Sequence, residues 1–171
     1  MELSRYELAF DDTLLKFTFT SIGVKGEIKK GIRFKEAGPN GYYNLSFGDL
    51  DEELDELNDT IISNNGDSNR VLATVMAAVY AFSEKYSYRW IYAKGITPSR
   101  TRLYQMGISK YLDLGKKDFE LYGFINGQWQ LFEKGINYKS FLARRKTKKY
   151  GKDKRFNHIK SHWESSQTKK R

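Results

Sequence analysis

Hydrophobic and polar positions change period several times along the chain, and each change marks an element. Thr13 to Phe19 alternates and is rich in Phe and Thr, which predicts a strand. Ser21 to Gly26 is a glycine-punctuated turn. Glu27 to Phe34 carries Ile28, Ile32 and Phe34 among lysines, completing a hairpin. Ala37-Gly38-Pro39-Asn40-Gly41 is a turn signal. Tyr42 to Phe47 follows as a third strand. The acidic stretch Asp49 to Asp59 spaces Leu50, Leu54 and Leu57 as a helix or a loop would, and Thr60 to Ser63 reads as a short strand.

Asn64-Asn65-Gly66-Asp67-Ser68-Asn69 concentrates turn and cap chemistry, with Asp67 or Ser68 placed to cap a helix. In that helix Val71, Leu72, Val75, Met76, Val79 and Tyr80 repeat at the spacing of one buried face. Arg89 to Ala93 predicts a strand. Thr97 then serves as N-cap, with Pro98 at the first position of a helix running Ser99 to Leu112. Phe119 to Phe124 and Gln128 to Phe132 flank Asn126-Gly127, the sequence of a type I′ hairpin turn. Asn137 caps an expected last helix from Tyr138, carrying Phe141 and Leu142.

This order predicts an α+β fold: a mostly antiparallel twisted sheet with two main helices packed on it, a C-terminal helix and a basic tail. The expected domain spans 1–145 and the tail 146–171, the latter without regular structure. No apolar run reaches the ~18 residues of a membrane span, and the N-terminus lacks the layout of a signal peptide. Cysteine is absent, so disulfides and thiolate metal sites are excluded. Cytoplasmic residence is the expectation.

Charge changes the picture more than composition does. The net charge is +9, but from Lys139 to Arg171 thirteen Lys and Arg face only Asp153 and Glu164, a local +11 that leaves −2 for the rest. A basic tail is an electrostatic handle for polyanions, or else a solubilising segment. It interleaves Tyr150, Phe156 and Trp163 with its cations, which suits RNA or single strands without telling RNA from DNA. The tail's candidate contacts are Arg144, Arg145, Lys146, Lys148, Lys149, Lys152, Lys154 and Arg155.

A second basic group, Lys94, Ser99, Arg100 and Arg102, surrounds the start of the second helix, where guanidinium groups and backbone N–H groups would hold an anion. Arg100 and Thr101 are read as pointing away from Leu103 and Tyr104, which gives Arg100 the ligand role. Arg102 is either a phosphate contact or a buried structural pair. The alternative for both arginines is pairing with the acidic stretch Asp49 to Asp59. Asn64, Asn65, Asp67 and Asn69 form a candidate ligand loop, although such side chains serve turns and caps first. His158 and His162 stand four apart, without an evident third metal ligand. They are the chain's only histidines, so a Ser-His nucleophile in the body is excluded. Neither a metal nor a cofactor is assigned.

The segments Ser63 to Val75 and Ala93 to Ile108, with Ser21 to Gly26 and Phe141 to Lys146, resemble a domain-of-unknown-function family of small bacterial proteins up to about Lys146. That resemblance implies no activity. More loosely, Thr97 to Tyr104 followed by Gly107-Ile108 is similar to a helix of the GNAT acetyltransferase superfamily. This implies a loop cradling the acetyl-CoA pyrophosphate before the first helix. Here the loop offers only Gly66, and Asp67 would repel a phosphate. Three functions follow as expectations: RNA binding through the tail and the arginine-rich helix start; a toxin-like effector or acyltransferase-like enzyme with a small cognate partner; and a protein-interaction module docking through its acidic segment.

Overall fold

The computed structural model of the chain describes residues 4–39 and 41–146. The chain forms an α+β fold. Among the described residues a nine-stranded sheet is built from β1 (Ala9–Phe10), β2 (Lys16–Gly23), β3 (Gly26–Ala37), β4 (Tyr42–Asp51), β5 (Glu56–Asn58), β6 (Ile91–Ala93), β7 (Phe119–Ile125), β8 (Gln128–Leu131) and β9 (Ser140–Arg145). Two helices, α1 (Ser68–Lys85) and α2 (Pro98–Asp118), pack on it. The strand order is β1-β2-β3-β4-β6-β9-β7-β8, with β5 paired to β4.

The N-terminal half is a meander of long antiparallel strands. In β2 and β3, Phe17, Phe19, Ile32 and Phe34 point to the helices, while the intervening positions are more exposed. This is the period-2 pattern of a half-buried sheet. Among the described residues the single parallel pairing joins β4 to β6, Tyr43 to Ile91 through Leu45 to Ala93, with α1 as the crossover. On β6 and β9, Ile91, Ala93, Phe141 and Ala143 join the helix-facing core. Tyr92 and Leu142 belong to a second cluster with Trp90 and Trp129. These two strands are buried on both faces.

Several expected boundaries move. β2 starts and ends later than Thr13 to Phe19, because Thr13 caps a turn through Asp11 instead (Oγ1 to Oδ1, 2.5 Å). The acidic stretch is neither helix nor loop throughout. It continues β4 to Asp51, turns, and returns as β5. Thr60 to Ser63 is not a strand. Helix α2 runs six residues past Leu112, to Asp118. The expected C-terminal helix from Tyr138 is absent: Ser140–Arg145 is strand β9, inserted between β6 and β7. The β7–β8 hairpin turns as expected, with Asn126 at φ 52° and Gly127 at φ 75°. The tail contacts Lys148, Lys149, Lys152, Lys154 and Arg155, and the pair His158 and His162, lie outside the described residues.

Candidate anion cleft

The start of α2 is built by its sequence. Thr97 is extended (φ −116°, ψ 159°), its hydroxyl accepts from the Arg100 N–H at 3.2 Å, and Pro98 occupies the first turn. The Gly95 N–H donates to Thr101 Oγ1 at 3.1 Å, pressing the β6–α2 loop onto the helix. These bonds fix which way each α2 side chain leaves the axis.

Arg100 turns inward, against expectation. At about 100° per residue it shares a face with Tyr104, four positions on, and not with Arg102. It is 4% exposed, donates to the Phe47 carbonyl, and lies over the Phe47 ring at 4.7 Å. Burial holds its pKa below the ordinary arginine value. Arg102, two positions on, is exposed, as are Lys94 and Ser99. Among the described residues no salt bridge joins either arginine to the acidic stretch, although Asp59 and Asp49 lie close enough to Arg100 to favour its charge. Asp49 bonds Lys30 at 2.6 Å, and Asp55 bonds Lys16 and, at 2.7 Å, Arg33.

Arg102 and Lys94 instead line a cleft of about 810 Å³ between the α2 start and the segment leading into β9. That segment adds Lys139, Asn137 and Gly135, with Thr97 and Ser109 on the helix side. Lys139 was not singled out at this site by sequence, because only the β9 register brings it there: its N–H donates to Phe124 O at 2.8 Å. The floor is fixed by Gln105, which donates to Ile136 O at 2.9 Å and accepts from the Tyr138 N–H at 3.3 Å. Among the described residues no carboxylate lines the cleft. Among the described residues Lys94, Arg102 and Lys139 make no ion pair.

The remaining basic candidates among the described residues are engaged within the fold. Arg144 bonds Glu120 (2.7 and 3.0 Å) and lies over Trp90 at 4.4 Å. Arg145 donates to Ser83 at 3.3 Å and lies over Tyr80. Lys146 donates to the Lys116 carbonyl.

The Asn64 loop is a structural knot. Asn65, 2% exposed, donates to Ser21 Oγ and the Gly26 carbonyl at 3.0 Å each, and accepts from the Lys25 N–H at 2.7 Å. Asp67 stands at the N-cap position of α1 but does not cap with its side chain. Its carboxylate accepts from Tyr6 at 2.7 Å and Ser21 at 2.5 Å. Burial, and then the Asp67 hydrogen bond, raise the Tyr6 pKa. Asn64 is exposed at φ 49°, and Asn69 gives its carbonyl to Tyr111 at 3.3 Å. Gly23 is required beside this knot, since a Cβ there would stand 1.9 Å from Asn65 O.

Fold and cleft together define a small α+β protein with a carboxylate-free cationic groove at a helix start. The chain belongs to a family of unknown function, DUF6934, whose model matches residues 2–146. Neither the comparison with curated proteins nor that with solved structures gives a match. No described helix is long and apolar enough to cross a membrane.

Proposed function

We propose that the protein binds nucleic acid, RNA before DNA, through the Lys94–Arg102–Lys139 cleft and the basic tail. The observation that carries this reading is the set of three exposed cations around a groove without a carboxylate. Elsewhere in the described fold, Lys16, Lys30, Arg33 and Arg144 have acidic partners. An anionic backbone supplies what the cleft lacks, and the net +8 of residues 146–171 extends the same attraction. The acyltransferase-like reading has less support, because the loop it would use for a pyrophosphate spends Asn65 and Asp67 on internal bonds.

Fluorescence anisotropy with a labelled single-stranded RNA, across a salt series, tests the proposal. The Lys94→Ala/Arg102→Ala/Lys139→Ala protein should bind roughly tenfold or more weakly and lose about two units of log–log salt slope. A chain ending at Lys146 should weaken further. The same sequence as DNA should bind less well. A triple variant with wild-type affinity and slope would remove the cleft from the function.

A further inference from the structure

A second site is independent of the cleft. Between α1, α2 and the sheet lies an apolar cavity of about 90 Å³, partly open on one side, walled by Leu72, Val75, Val79, Ile91, Leu121 and Phe141. Two tyrosines reach it, yet both hydroxyls are used elsewhere: Tyr104 donates to Leu45 O and Tyr111 to Asn69 O, each at 3.3 Å. What faces the space is therefore hydrocarbon and ring. The cause lies in α2, where Gly107, Tyr111 and Gly115 recur every fourth residue on the inner face. Gly115 is buried, and a Cβ built there would meet nothing within 4 Å. The helix leaves a side chain's worth of room where its face meets the sheet.

Water does not belong there, since a buried water needs two to four polar partners and this wall presents none. Close-packed interiors leave few voids of this size. An apolar cavity of about 150 Å³ takes benzene or xenon, so one of about 90 Å³ admits a guest smaller than a benzene ring, such as a xenon atom. We propose that this cavity is a binding site for a small, uncharged, apolar guest smaller than a benzene ring. A charged or hydrogen-bonding head group is excluded, because it would be buried without a partner. Met76 and Ile108, both half-buried, form the outer wall, and the unbranched Met76 side chain can swing aside to admit the guest.

Titration of the full chain with xenon under pressure, followed by methyl NMR and thermal melting, tests this. The expected result is saturable shifts confined to Leu72, Val75, Val79, Ile91 and Leu121, with a xenon-dependent rise in Tm. Gly115→Leu puts a helix-favouring side chain into the space and should abolish both effects while the protein stays folded. Should Gly115→Leu fail to fold, Gly115→Ala is the milder filling variant, and the wild-type shift map is decisive without either. Absent shifts, non-saturating shifts spread over the surface, or equal shifts in a folded filled variant would overturn the proposal.

Discussion

Arg100 and Arg102 are two residues apart and meet different surroundings. The first is sealed against Phe47 and the second faces water. Arg100→Ala leaves the Phe47 carbonyl short of a donor and opens a void, so it should cost roughly 1–3 kcal/mol of stability. Part of that loss is offset, because a desolvated charge disappears as well. RNA affinity of the folded variant should not change. Arg102→Ala should do the reverse, with an unchanged denaturant midpoint and weaker RNA binding. Urea titration and anisotropy on both variants check this, and early melting of Arg102→Ala would refute the assignment. The inward turn of Arg100 was legible in principle: its i, i+4 relation to Tyr104 outweighs the expectation that a guanidinium seeks solvent. Asn65 and Asp67 were less legible. Turn chemistry placed them in a loop, but only the fold shows that Ser21, Tyr6 and the Gly26 carbonyl come to meet them.

Among the elements, the regular ones could be read from their period. The face of α1, the Thr97-Pro98 start of α2 and the Asn126-Gly127 hairpin all stand where pattern and turn chemistry put them. β9 could not be read that way. Its Phe141 and Leu142 are both buried, on opposite faces of the sheet, so no alternation marks the strand. A short apolar run fits a buried strand and a buried helix equally. The end of α2 was obscured in a similar way, because Gly115 suggests a stop where the helix continues three more residues. β9 gives a direct expectation for truncation. A chain ending at Leu142 loses Ala143, Arg144 and Arg145, which pair with β7 and, at Ala143, with β6. It should unfold or aggregate, while a chain ending at Lys146 should melt cooperatively. Circular dichroism melts of the two fragments decide; a cooperative fold in the shorter one would contradict the register.

At the scale of the molecule, buried and half-buried phenols shape the response to alkaline pH. Tyr80 is pushed up to about 12 by burial and then by its hydrogen bond to Asp118 (2.7 Å). Tyr104 is pushed up to about 12 chiefly by burial. Both are protonated in the folded chain at pH values where an unfolded tyrosine, with pKa near 10, already ionises. The unfolded state then binds fewer protons, so stability is full below pH of about 10 and is lost as pH rises toward about 12. Tyr104→Phe should flatten this alkaline loss. Denaturant midpoints across the range, with phenolate absorbance followed in parallel, provide the check; an unaltered alkaline limb would show that Tyr104 does not contribute.

The place of β9 also bears on how the protein is made. A ribosome delivers β1 to β5 first, and each of those strands finds its neighbour already present or next in line. β6 and the β7–β8 hairpin emerge later but have no strand between them until Arg145 has cleared the exit tunnel. Through that interval the nascent chain carries two unpaired strand edges flanked by apolar side chains, the arrangement most open to pairing with another chain. Translational pausing shortly before β9 should therefore lower the yield of soluble protein more than an equal pause after β5.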